Sequence, residues 1–331
     1  MQLNITQRGA KLSVKDGRFR VRWGEDEEAY FPAGQVSSIV LHPASALTHE
    51  AVRLAIHHEV EVLLMDETGF PFGRVWSPRF GSISTIRKNQ VHFALQPEAL
   101  DWVKGELLAK LENQTALLAL LQPEDPTVLP HLQEGIARIE AFRARLAALE
   151  AETMAEAAPT LRGLEGNSGR VYFEALSQAL PEVYRFERRS RQPAQDMFNA
   201  LLNYAYGMLY GLIEGVLIKV GIDPYLGVFH RDDYGRPVLV YDLIERYRVW
   251  AEYVVVILCM DRAVFIEYFD VEDGGYWLNR EGKRLLIHSM NDYLHEVVEL
   301  DDLPRSRLVH LELRAQALAT RLKQGSFFID H

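Results

Sequence analysis

One cysteine, Cys259, stands in this 331-residue chain, which excludes an intramolecular disulfide and any zinc cluster built on several thiolates. It lies in the apolar run Val254 to Met260, surroundings that suit a small buried side chain better than a reactive thiol. A reducing, cytoplasmic compartment is the expectation. No apolar run approaches about 18 residues, so no membrane span is expected. The opening residues, MQLNITQRGAKLSV, lack the charged-then-apolar order of a secretory signal. Positive charge is also in deficit: 36 Lys and Arg against 46 Asp and Glu leave a net charge of −10, which disfavours a uniformly basic surface. No repeat or low-complexity tract occurs. What remains is 48% hydrophobic and 25% charged, an ordinary globular composition, with a length that allows about two domains.

The charge is unevenly distributed. Residues 73–90 carry Arg74, Arg79, Arg87 and Lys88 and no acid; a second cluster holds Arg185, Arg188, Arg189 and Arg191; residues 98–156 are acidic. An acidic back and a basic working face would suit these segments. Short β-rich runs (Lys11 to Val14, Arg18 to Trp23, Val36 to Leu41, Val60 to Met65, Phe72 to Trp76) alternate with turn signals. Asp16-Gly17 reads as a hairpin, Phe31 to Gly34 as a turn, and Thr48 as the cap of a helix. From Pro97 the apolar spacing becomes helical: Leu100 to Leu117, Leu132 to Leu149, Leu164 to Leu180, Ala194 to Val220, then 238–260, 280–298 and 305–323. The fold class expected is therefore α+β, a small β-rich amino-terminal domain (1–92) followed by a larger all-α domain (93–331).

The chemistry centres on Gly221 to Arg248. His230 precedes Asp242 and Glu245, whose three-residue spacing puts them on one face of a helix. One nitrogen ligand with carboxylate oxygens and no thiolate suits Mg²⁺ or Mn²⁺, ions that accept phosphate oxygens. A further acid is needed, and Glu165 is the candidate, among Gly163, Gly166 and Gly169. Glycine costs a helix about 1 kcal/mol relative to alanine, so three of them call for close backbone approach, by a partner helix or a phosphate backbone. Glu165, Ser168 or Gly169, and Tyr172 would share one side of that helix. Tyr204, Tyr206 and Tyr210 read as core residues more than as base-stacking platforms.

Gly163-Leu164-Glu165-Gly166 with Tyr172-Phe173, then Phe198 to Tyr204, Gly221 to His230 and Tyr241 to Arg248, taken in order, resemble the CRISPR-associated endonuclease/integrase of spacer acquisition, with residues 61–69 similar to its amino-terminal strand-turn. The resemblance spans essentially the whole chain. It implies that Glu165, His230 and Glu245 bind the metal with Asp242 as a supporting acid; Asp242 and Glu245 could exchange those roles. Arg162, Arg170, Arg236 and Arg248, which flank these acids, join Arg185, Arg188, Arg189 and Arg191 as expected DNA contacts. The implied activity is metal-dependent nicking of branched DNA and insertion of short foreign DNA into a repeat array by 3′-hydroxyl attack. The implied partners are double-stranded and branched DNA, a second copy joined through the amino-terminal domain, and a smaller adaptation protein bridging two such dimers. A DNA-binding scaffold that turns over nothing and a stand-alone nuclease for branched repair intermediates are the rival readings.

Overall fold

A computed structural model describes residues 1–24, 27–36, 38–67, 71–75, 83–230, 236–300 and 302–325. The amino-terminal part builds two sheets. In one, β1 (Gln2–Ile5), β5 (Ser38–Leu41) and β7 (Glu61–Met65) run parallel in that order, with β8 (Pro71–Val75) antiparallel at the edge. In the other, β2 (Lys11–Lys15), β3 (Arg18–Trp23) and β4 (Glu27–Pro32) form a meander, and β6 (Ala46–Leu47) pairs with β2 in parallel. Asp16 and Gly17, both with positive φ, make the β2–β3 turn as the dipeptide predicts. The Thr48 hydroxyl accepts from the Ala51 N–H and caps α1 (His49–His57). Leu12, Phe19, Ile39, Ala51, Ala55 and Val62 fill the core between these elements.

The second core belongs to the helices: α2 (Ile83–Phe93), α3 (Pro97–Leu120), α4 (Leu129–Ala147), α5 (Met154–Ala179), α6 (Met197–Lys219), α7 (Val238–Met260), α8 (Arg280–His295) and α9 (Arg307–Gln324). α2 packs on α9, and its Ile86 and Phe93 are part of this helical core. α3 lies against α4, α5 and α7, and α6 lies against α7. α6 is long and apolar enough to cross a bilayer by length and composition, contrary to the expectation that no segment would be. Two-thirds of its apolar window is buried inside the protein, which explains that apolarity. Cys259 is fully buried on α7, and burial pushes its thiol pKa up.

The expected all-α carboxy-terminal part needs correction. It holds two hairpins, β9 (Phe269–Glu272) with β10 (Gly275–Leu278) and β11 (Val297–Leu300) with β12 (Leu303–Ser306). The run expected as one helix over 280–298 therefore stops at His295 and turns into β11. β1, β4 and β6 also escaped the pattern, being short or half-exposed strands without strict alternation.

The cores meet where α6 crosses the first sheet. Gly215 has no room for a side chain: a Cβ there would stand 2.6 Å from both Arg74 and Glu61. Arg74 pairs with Glu61 and donates to Glu214 at 2.8 Å and to the Gly211 carbonyl at 2.9 Å. Arg74 is thus a buried joint between the two parts rather than a surface contact.

Candidate functional site

A cleft of about 1280 Å³ is walled by α3, α5, α6 and α7, with Asp66 and Glu67 after β7 and Tyr276 to Leu278 of β10 completing its lining. α3 carries a buried polar stripe, Glu106, Lys110 and Gln114, four residues apart between Val103, Leu107 and Leu111. The stripe aims Lys110 at two carboxylates. Its ammonium lies 2.6 Å from Glu165 Oε1 on α5 and 2.5 Å from Glu245 Oε2 on α7. It donates to Glu165 and stands equally close to Glu245, whose Oε2 is buried and faces this ammonium. Arg248, one turn along α7, donates from Nε to Glu245 Oε1 at 2.8 Å and from Nη2 to the Tyr210 hydroxyl at 3.0 Å. Burial favours a neutral Glu245, but the Arg248 and Lys110 cations outweigh it and hold the carboxyl down to about 2. Burial likewise opposes the Lys110 charge, and Glu245 with Glu165 raises its pKa nonetheless.

His230 is placed by different means. Gly221, at φ +87°, ends α6 and starts the loop to His230. Gln90 of α2 reaches this loop: its Nε2 donates to the carbonyls of Asp223 (2.7 Å) and Leu226 (3.0 Å), and its Oε1 accepts from the Asp223 N–H (3.0 Å). Asp242 on α7 pins the far end. Its carboxylate accepts from the backbone N–H groups of Val228 (2.7 Å), Phe229 (3.1 Å) and His230 (2.9 Å), and from His230 Nδ1 at 2.7 Å. A proton held on Nδ1 leaves Nε2 with its lone pair, the form a ligand needs. Residues 231–235, which continue the turn, lie outside the described residues.

The structure thus brings Glu165 and Glu245 around one cation and pairs His230 with Asp242. Glu165 and His230 both line the cleft, and Asp242 has both oxygens occupied. Among the described residues, no three acids and histidines converge into a cage for a metal. A divalent ion nevertheless fits the donor chemistry at one place. The Lys110 ammonium already occupies a cation position between two carboxylates contributed by different helices.

The candidate arginines divide into three groups. Arg170, Arg188, Arg191 and Arg236 are exposed on the cleft. Arg189 and Arg248 face it but are engaged internally, Arg189 by Asn199 and by Asn203 (2.9 Å), Arg248 by Glu245 and Tyr210. Arg162 and Arg185 are exposed away from the cleft lining, with Arg185 Nε on the Leu180 carbonyl. Of the first basic run, Arg87 stands 3.8 Å from Asp223, Lys88 is exposed, and Arg79 lies outside the described residues.

Among the described residues the three glycines of α5 serve no helix contact: a Cβ on Gly163, Gly166 or Gly169 would meet none of them within 4 Å. Gly166 and Gly169 instead give the cleft beside Glu165 a bare backbone wall. Ser168 and Tyr172 lie on the Glu165 side of α5, as the spacing predicts, but they are buried and do not line the cleft. Tyr204 and Tyr206 are core residues, as expected, yet they and Tyr210 also line the cleft. Sequence reasoning missed Lys110, Gln90, and Glu252, which accepts from the Tyr206 hydroxyl at 2.5 Å and whose pKa burial raises. The spacing of Glu106, Lys110 and Gln114 within an apolar helix was the available signal.

Fold and cleft define a two-core α+β protein with a carboxylate pair, Glu245 buried and Glu165 partly exposed, and exposed arginines at one opening lined mainly by its helices. The chain belongs to the CRISPR associated protein Cas1 family, whose model matches residues 3–292. It is 31% identical over 300 residues to the CRISPR-associated endonuclease Cas1 1 of Thermus thermophilus, covering 90% of this chain and 88% of the relative. Among solved structures it resembles in fold a chain of a Cas6-RT-Cas1–Cas2 complex (TM-score 0.82, 21% identity, 99% of this chain and 36% of that longer one). It also resembles in fold a casposase bound to integration product (TM-score 0.79, 22% identity, 98% of this chain and 90% of the other).

Proposed function

We propose that this chain is a metal-dependent DNA endonuclease and integrase that inserts short foreign DNA into a CRISPR repeat array. The observation that carries this reading is the pair Glu165 and Glu245, contributed by two different helices to one cation position beside a cleft with exposed arginines. The Thermus relative's name, an endonuclease, supports the hydrolytic half. The fold shared with a casposase on its integration product accords with strand transfer.

Glu165, Glu245 and Nε2 of His230 would hold Mg²⁺ or Mn²⁺, with Asp242 orienting the histidine. Once bound, the ion supplies charge to stabilise the phosphorane-like transition state at a phosphodiester. The chain's own work is positioning. Arg170, Arg188, Arg191 and Arg236 offer guanidinium forks to phosphate oxygens, and the bare Gly166–Gly169 wall lets a backbone approach Glu165. The attacking oxygen is water in cleavage and a DNA 3′-hydroxyl in insertion, so one site serves both. Assembly through the β-rich part into a homodimer, bridged by a smaller adaptation protein in the cytoplasm, completes the proposal. Its basis is the family and the complex in which a similarly folded chain occurs.

The test uses labelled branched DNA and a repeat-containing duplex with Mn²⁺, Mg²⁺ or chelator. Wild type is expected to give metal-dependent nicked and joined products, and His230→Ala and Glu245→Ala to reduce both by about 100-fold or more. DNA binding without products under either metal, with the adaptation partner present, would instead support the scaffold reading.

A further inference from the structure

Lys110 has no role in the expected chemistry, yet its side chain, only 5% exposed, holds the center of the carboxylate pair. Lysine is a demanding residue to bury, because its ammonium loses a full hydration shell and has three donors to satisfy. It is tolerated here because two carboxylates surround it. The cluster Glu165, Glu245, Lys110 and Arg248 is then neutral in sum, two negative charges against two positive. Two features set Lys110 apart from Arg248. The guanidinium of Arg248 is fixed by directed hydrogen bonds to Glu245 Oε1 and to Tyr210, and it stacks 4.9 Å over the Tyr206 ring. The ammonium of Lys110 bridges the two carboxylates, 2.6 Å from Glu165 Oε1 and 2.5 Å from Glu245 Oε2, and has no further hydrogen-bond partner among the described residues. It is also on the cleft wall, at the end of a flexible four-carbon stem, so an open space lies beside it.

We propose that Lys110 is a resident, exchangeable cation that keeps Glu165 and Glu245 together in the metal-free protein and must yield its place when a divalent ion binds. The inference rests on the metal-centre reading above and deepens it. Adding a dication while the ammonium stays would leave this largely buried cluster with two surplus positive charges, a repulsion that the protein interior screens less than water does. Displacement into the cleft halves that surplus to one positive charge and offers the freed ammonium to a phosphate. Lys110 therefore acts as a positioning residue with two opposed effects. It preserves the site's geometry without metal, and it weakens metal binding by competing for the same oxygens.

The opposition makes the proposal testable by affinity instead of turnover. Mn²⁺ is titrated into metal-free wild type, Lys110→Met and Lys110→Gln while the free ion is followed by its electron paramagnetic resonance, with Glu245→Gln as the control that should lose binding. Both Lys110 variants are expected to be less heat-stable without metal, to bind Mn²⁺ about tenfold or more tightly than wild type, and to gain more melting temperature from it. A residue of merely structural value would give weaker binding when removed, since a damaged site loses affinity. Unchanged or weaker Mn²⁺ binding by folded variants overturns the role of Lys110 alone. Absence of Mn²⁺ binding by every form, wild type included, overturns the metal centre with it. Should both variants fail to fold, wild type itself decides. Amine acylation read by mass spectrometry should leave Lys110 protected without Mn²⁺ and label it with saturating Mn²⁺; continued protection at saturation overturns the exchange.

Discussion

The His230 loop and the Glu165–Glu245 pair are held by opposite kinds of force. Asp242 grips the loop with directed hydrogen bonds from three consecutive backbone amides and an imidazole, and Gln90 adds three more from α2. The carboxylate pair is held by cations, Lys110 and Arg248. Directed bonds to backbone define a shape and have no substitute in solution once buried. An ammonium in a carboxylate pair defines a charge, and another cation can replace it. Asp242 and Glu245 sit three residues apart on one helix, so their spacing says nothing of this division. It arises because one faces a loop rich in free amides and the other faces α3.

The largest effect should follow from attacking the directed side. Asp242→Ala would strand three backbone donors and the imidazole, at a cost of about 3–5 kcal/mol in urea unfolding. Asp242→Asn, which keeps one acceptor oxygen, should lose distinctly less; equal losses would mean that the loop does not depend on the carboxylate. On the cationic side, Glu245→Gln should cost about 2–4 kcal/mol by leaving two buried cations short of a partner. Its signature is pH. The Glu245 pKa lies at about 2 in the folded protein against an ordinary 4.5, so its contribution is complete above 4.5 and is lost as pH falls toward 2. Stability measured across that window should fall less steeply in Glu245→Gln than in wild type. The smallest change expected is Gln90→Ala, about 1–3 kcal/mol, with faster hydrogen exchange at the Asp223 amide and no altered acid dependence. A shifted acid dependence there would join the two regions that the structure separates.

Much of this was legible in the chain. The Asp16-Gly17 hairpin, the Thr48 cap and most helices follow from short-range pattern, and Glu165, Glu245, Asp242 and His230 were singled out by motif order. Other features were hidden for identifiable reasons. Lys110 looks like a surface lysine until its partners, 55 and 135 positions away in sequence, are brought beside it by the packing of α3 on α5 and α7. Arg74, Arg189 and Arg248 read as free basic charge, but their donors are engaged by acids, amides and a tyrosine distant in the chain. The late hairpins are four-residue strands with mixed burial, too short to show a period.

Local chemistry, then, set the α+β class, the helix caps and turns, and the residue types at the center, because propensity, capping and periodicity act over a few residues. Which acid meets a cation and which meets a backbone amide was set by the packing of helices far apart in sequence. Burial strengthens each charge and each hydrogen bond while leaving no trace in spacing, so the roles of Asp242, Glu245 and Lys110 emerged only where α3, α5 and α7 close on one another.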